Sequence, residues 1–183
     1  MTRKEAIQLL VRHDVQQLSR DAREQLLVDW WSIDASDVEY DTLPGVLQTT
    51  LATADEPDDP MNVLYDPLLG VALRRSFVGV TNSYLERRLT QLGTSARVEG
   101  VAEELAPCPC CRFRTLQTRG GYEICKVCFW EDDGSNDLNR VSAPNHTSLR
   151  EAREAFARLG AITEAHRKHV LPDGKERYAR AEA

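Results

Sequence analysis

The sequence predicts an α+β protein in which a small N-terminal helical bundle precedes a zinc-ribbon-like β-hairpin domain covered by a C-terminal helix. Three observations carry this. Apolar residues recur at helical spacing through the first hundred positions. All five cysteines fall within Pro107–Trp130, as the pairs Cys108/Cys111 and Cys125/Cys128 with thirteen residues between them and Cys110 left over. A further amphipathic helix follows the second pair.

Residues 2–12 set Ile7, Leu10 and Val11 on one helical face, and Asp14 ends that helix or starts the next. Ser19 or Asp21 caps a second helix with Leu26, Leu27, Trp30 and Trp31 as its apolar side. Pro44 suits the first turn of a helix running to about Thr53. Residues 54–62, with two prolines and four acids, form a loop. Asp66-Pro67 opens a helix through about Arg75 with Leu68, Leu69, Ala72 and Leu73 inward, and Asn82 or Ser83 caps another that Gly93 ends. Residues 94–107 are a linker, or a strand that joins the ribbon's sheet, and hold the domain boundary. The division expected is a helical domain at 1–100, a ribbon with its helix at 101–171, and a loosely ordered charged tail at 172–183.

Two thiolates separated by two residues can both turn inward on a tight knuckle. Two facing knuckles complete a tetrahedron around Zn²⁺ with sulfur at about 2.3 Å. Cys108, Cys111, Cys125 and Cys128 are therefore the expected ligands of a structural zinc ion. Between the pairs, Thr115–Gln117 and Tyr122–Ile124 read as short strands, and Gly120-Gly121 as the positive-φ turn of a hairpin. A disulfide framework fits poorly, because the cysteine count is odd. A thioredoxin-type pair would sit at a helix start rather than beside a hairpin. Cys110 could substitute for Cys108 or Cys111 as a ligand, and packing as a small apolar residue is the expectation. Four thiolates leave no position for water, so the metal argues for architecture rather than catalysis.

After the ribbon, Glu131-Asp132-Asp133-Gly134 is an acidic turn: a platform for the knuckle, or a recognition patch. A calcium loop is excluded, since Phe129 would have to be its first ligand. Asn145 and Ser148 are candidate caps, and Ser148 with Glu151 makes a capping box. The helix that follows sets Leu149, Ala152, Phe156 and Leu159 on the face that covers the hairpin, and Gly160 stops it.

The segments CPCC (Cys108–Cys111), RGGYEIC (Arg119–Cys125), VCFWEDDG (Val127–Gly134) and PNHTSLREAREAF (Pro144–Phe156) resemble the bacterial CPCC cysteine-rich proteins. NVLYDPLL (Asn62–Leu69) and GVTNSYL (Gly79–Leu85) are similar to the helical segment that precedes CPCC domains in some members. The chain departs from the family at Arg112, where members often have glycine, which bears on the backbone of the first knuckle and not on the ligands. Several proteins of this kind resemble small immunity proteins encoded beside bacterial polymorphic toxins. The resemblance thus implies a cognate toxin as partner.

A net charge of −6 disfavours non-specific nucleic-acid binding. No apolar run spans a membrane and no secretory signal opens the chain, so a cytoplasmic, membrane-free protein is expected. The leading expectation is a non-catalytic protein that binds and neutralises a toxin through Glu131, Asp132 and Asp133. A zinc-ribbon regulator of nucleic acid or transcription machinery, using Arg112, Arg114, Arg119 and Lys126, is the alternative. A metal-dependent hydrolase pairing His146 with Asp132 and Asp133 stands third.

Overall fold

The computed structural model describes residues 1–182. The chain divides into two compact units, Met1–Val78 with Arg88–Glu99, and Gly79–Arg87 with Gly100 onward. No helix among the described residues is long and apolar enough to cross a membrane.

In the first unit the N-terminal helices pack together. A capping box between Thr2 and Glu5 starts α1 (Arg3–Gln17), and Ser19 caps α2 (Arg20–Trp30) by accepting from the Ala22 N–H. Helix α3 (Gly45–Thr53) begins after Pro44, and α4 (Asp66–Arg75) carries proline in its first turn. Helix α4 packs on α1 and α2, burying Leu10, Val11 and Val15 against Leu68, Leu69 and Leu27. Gly70 faces α1, where a Cβ would meet Val11 Cγ1 at an ordinary contact distance of 3.6 Å.

Two features of this unit differ from expectation. Helix α1 runs past Asp14 to Gln17, and Trp30 and Trp31 stay partly exposed. The Trp31 indole donates to the Ala54 carbonyl at 2.9 Å and meets the Tyr65 ring edge-on. The larger surprise is Arg23, which is 4% exposed and donates to the carbonyls of Pro60 (2.6 Å) and Asn62 (3.2 Å) and to the Asp66 carboxylate (2.7 Å). It fastens the acidic loop around the buried Pro60.

The second unit is built from small hairpins with a C-terminal helix. Strand β1 (Ala106–Pro107) pairs antiparallel with β2 (Arg114–Leu116), and β3 (Val141–Ser142) with β4 (Thr147–Ser148). Helix α5 (Asn82–Gln91) is divided between the units after Arg87. Thr81 receives the Tyr84 N–H at its N-terminus, the role expected of Asn82 or Ser83. The expected box of Ser148 and Glu151 caps α6 (Leu149–Leu159), Leu149, Ala152 and Phe156 are buried, and Gly160 closes the helix in the left-handed region at φ 78°.

The hairpin expected between the cysteine pairs is replaced by a different pairing. Strand β2, which holds Thr115, pairs back to β1 through Arg114 and Leu116, and Tyr122–Ile124 turn toward Glu131 and Asp132 instead, through the Ile124–Glu131 bridge and the Tyr122 N–H to Asp132 carbonyl bond (3.0 Å). Each knuckle therefore sits at the tip of its own small hairpin. In the turn between, Gly120 (φ 75°) and Tyr122 (φ 57°) adopt positive φ, and Gly121 does not.

The charged C-terminal stretch, expected to be loosely ordered, is tied in. Helix α7 (Gly174–Arg177) precedes a buried Tyr178, and the Phe113–Arg180 bridge is flanked by the Arg114 N–H to Ala179 carbonyl and Ala181 N–H to Arg112 carbonyl bonds, both 2.9 Å. The chain end thus adds an edge to the first knuckle's hairpin, through backbone bonds that a charged sequence does not advertise; Ala183 lies outside the described residues.

Gly79 opens this unit at φ 73°, and a Cβ there would lie 2.3 Å from Leu105 Cδ1. Gly79→Ala is expected to lower stability by about 1–2 kcal/mol, mostly as left-handed backbone strain because the leucine tip can move. Urea midpoints at unchanged slope would measure it.

Candidate metal centre

The two knuckles are built alike. In the first, the Cys108 N–H donates to the Phe113 carbonyl (2.9 Å) and the Arg112 N–H to the Cys108 carbonyl (2.9 Å). In the second, the Cys125 N–H donates to Trp130 (2.8 Å) and the Phe129 N–H to Cys125 (2.8 Å). The residue after each second cysteine turns left-handed, Arg112 at φ 69° and Phe129 at φ 71°. These are the positions where glycine is cheapest.

Arg112→Gly should therefore stabilise the first knuckle by about 1 kcal/mol. Phe129→Gly should not gain, because Phe129 stacks on His166 with ring centroids 4.6 Å apart and meets His169 at 5.3 Å. Thermal melts of the two variants side by side check the contrast.

The knuckles bring Cys108, Cys111, Cys125 and Cys128 together in one buried group whose sulfurs all lie within 4.8 Å of one another. Cys108 and Cys128 sulfurs are 3.6 Å apart, and those of Cys111 and Cys125 3.5 Å. A tetrahedron with arms of about 2.3 Å has edges of about 3.8 Å, so the sulfurs stand near the distances a four-thiolate metal site requires. Cys110 is buried outside this group, packing as the sequence suggested.

Crowding polarises the thiols. Hydrogen bonding with Cys111 and Cys125 pushes the Cys108 thiol up, and burial pushes Cys128 up. Cys125 is also opposed by burial, but hydrogen bonds from the other three thiols and from Thr115 outweigh it and pull it well down. The Thr115 hydroxyl donates to Cys125 Sγ at 3.1 Å. A divalent cation bound here would displace the protons that the remaining thiols hold. The group is thus suited to a metal ion such as zinc.

The chain after the ribbon seals the centre. The Ile162 N–H donates to the Cys128 carbonyl and the Leu171 N–H to Lys126, both at 2.9 Å, and Arg153 of α6 donates to the Pro109 carbonyl at 2.8 and 3.0 Å. Tyr178 lies buried, its hydroxyl without a hydrogen-bond partner among the described residues, and burial pushes its pKa up to about 12.

The acidic turn is largely engaged within its own unit. Asp132 is 0% exposed, and its carboxylate accepts from Arg119 Nε (2.8 Å) and the Gly120 N–H (2.7 Å). The Asp133 side chain is 3% exposed and pairs with Arg140 at 2.8 Å. Glu131 is held by its backbone, which the buried Asn145 amide clamps by accepting from its N–H (2.9 Å) and donating to its carbonyl (2.8 Å). Asn145 thus serves as a strand substitute rather than a helix cap. The three acids were expected to face a partner, but two of them meet arginines inside the unit, which a run of acids in sequence cannot reveal.

His146 is exposed and occupies the β3–β4 turn at φ 53°, its N–H bonded to the Ser142 carbonyl (2.9 Å). It does not join Asp132 and Asp133 in a metal-holding group among the described residues.

Asp173 ties α5 to α7 within this unit. Burial opposes its ionisation, but hydrogen bonds from Arg177 Nε (2.7 Å) and the Tyr84 hydroxyl outweigh that and hold its carboxyl below the usual range. A carboxylate so depressed stabilises the fold above its unfolded pKa, and the contribution fades as pH falls through the lower folded value. The stability gap between the natural protein and Asp173→Asn should accordingly be full at pH 7 and narrow below about pH 4. A gap that is constant from pH 7 to pH 3 would contradict this.

No curated protein and no solved structure matches the chain. Residues 106–177 match the family model described as Cysteine-rich CPCC. The match extends past Phe156, the last residue of the recognised motifs, across the segments that bond to the second knuckle. Residues 106–177 of this chain are a cysteine-rich CPCC domain.

Proposed function

We propose that the CPCC domain holds one structural Zn²⁺ on Cys108, Cys111, Cys125 and Cys128, and that the protein acts by binding another protein rather than by catalysis. The observation that carries this is the composition of the buried group, four sulfurs with no histidine or carboxylate among them. Such a set closes the tetrahedron and leaves no position for water or substrate. Asp132 and Asp133, the carboxylates a hydrolase would need beside His146, are engaged by Arg119 and Arg140.

The partner we propose is a cognate bacterial toxin, which the protein neutralises as an immunity protein. The resemblance to CPCC cysteine-rich proteins supports this, as does the placement of charge. Residues 29–59 contain nine acids and no lysine or arginine. Asp34, Asp41, Asp55 and Glu56 are exposed there, beside Val38 (86% exposed) and Val46 (62%). An acidic surface with apolar points suits a basic active site built for nucleic acid or nucleotide, and would speed encounter at low salt.

Affinity purification from the native host, with partners identified by mass spectrometry and nucleic acid read by absorbance ratio, tests the reading. The expected result is one stoichiometric protein with a toxic domain, whose toxicity co-expression suppresses and whose association slows in salt. Recovery of nucleic acid or polymerase subunits instead would favour a regulatory zinc ribbon.

A further inference from the structure

In the CPCC unit a cavity of about 440 Å³ is lined by Cys110, Arg112, Arg153, Phe156, Lys175 and Arg180, with Ala157 at its edge. Four of these side chains are cationic and none is acidic, in a chain whose net charge is −6. None of the four forms an ion pair with a carboxylate among the described residues, whereas Arg23, Arg119, Arg140 and Arg177 all do.

Two of the cations are held in place by the knuckle. Arg153 donates through Nε and Nη2 to the Pro109 carbonyl, and Arg180 through Nε to the Cys111 carbonyl at 3.3 Å. Arg180 also lies 5.8 Å from the Phe113 ring centroid, and Lys175 Nζ 4.9 Å from that of Phe156. These contacts orient the groups and leave Arg153 Nη1 and both Arg180 Nη atoms with donors to spare. Arg112 and Lys175 make no side-chain hydrogen bond among the described residues. A zinc ion on four thiolates would carry roughly two net negative charges, and Arg153 and Arg180 are the two cations held at the first knuckle's carbonyls. Arg112 and Lys175 are not so held.

We propose that this cavity binds a small phosphorylated molecule, with the phosphate group among Arg112, Arg153, Lys175 and Arg180. A tetrahedral dianion accepts from several directions at once, and guanidinium forks match its oxygen pairs. A single carboxylate would leave much of that positive charge unmatched. The volume lies in the range of small-ligand sites, roughly 300–1,000 Å³. A concave site on an acidic protein suits a compact phosphate better than a nucleic-acid backbone, which the rest of the surface repels. Free phosphate and the terminal phosphate of a nucleotide share this chemistry. The proposal does not depend on the identity of any protein partner.

Calorimetric titration of the full-length, zinc-loaded protein with inorganic phosphate, pyrophosphate and adenosine monophosphate tests it. The expected result is saturable one-to-one binding that weakens with salt. Lys175→Glu and Arg112→Gln should each weaken it ten-fold or more, while zinc content stays at one per chain. Lys175→Gln, which removes the charge without reversing it, should weaken it less than Lys175→Glu. Tighter binding of the nucleotide than of phosphate and pyrophosphate assigns the site to nucleotides, and the reverse order to inorganic phosphate. Absence of saturable binding, affinity unchanged in the zinc-replete variants, or preference for a single-stranded oligonucleotide over pyrophosphate would overturn the proposal.

Discussion

Cys125→Ser is expected to abolish stoichiometric zinc binding and to unfold the CPCC unit, with an effect on the order of 10 kcal/mol on the holo state of that unit. Cys125 sits at the base of the second knuckle, accepts from Thr115, and faces Cys111 at 3.5 Å. Serine supplies a harder, less acidic ligand and shortens the reach. The unit's strands are two or three residues long, so its hairpins have little stability without the metal that joins them. Strong chelation of the natural protein should give the same circular-dichroism change, reversed by added zinc. Cys110→Ser should retain zinc, because Cys110 lies outside the four-sulfur group. Equal zinc content in the natural protein and Cys125→Ser would show that the ligand set is wrong.

Asp132→Ala is expected to cost about 3 kcal/mol, from two charge-assisted hydrogen bonds lost in a buried turn. The Gly120 N–H would lose its acceptor, while Arg119, 32% exposed, could swing to solvent and limit the loss. Gly120 and Gly134 are pressed together beside this carboxylate; a Cβ on Gly120 would lie 3.3 Å from Gly134 Cα. The turn therefore has little freedom to repack. Asp132→Asn keeps an acceptor and should cost less. Both variants should still bind zinc, which separates this turn from the metal centre. A denaturant midpoint for Asp132→Ala equal to that of the natural protein would refute the buried clamp.

What the sequence makes legible is whatever depends on short spacing. The C-x-x-C pairs place their own sulfurs, Ser148 and Glu151 cap α6 across three residues, and Asp66-Pro67 opens α4. Arg112 stood out through the resemblance, as a knuckle residue where family members often have glycine, and its φ of 69° lies in the left-handed region. The misreadings concern partners distant in the chain. Glu131, Asp132 and Asp133 look like a solvated acidic face until Arg119, Arg140 and Asn145 are brought to them. Tyr122–Ile124 have strand-forming residues but find their partners after the second knuckle rather than before it. Arg23 and Tyr178 are buried by folds of the chain that no local pattern encodes. A weak signal existed for Arg180 and Lys175: cations persist in the last ten residues of an acidic protein, yet only the fold gathers them with Arg112 and Arg153.

The central claim is a closed four-thiolate metal site, and X-ray absorption at the zinc edge of the purified full-length protein tests it most directly. The account predicts one zinc per chain with four sulfur scatterers at about 2.3 Å and no nitrogen or oxygen in the coordination sphere. A fit requiring a light-atom ligand at about 2.0–2.1 Å would mean an open or mixed site, and would contradict both the ligand set and the architectural role assigned to it.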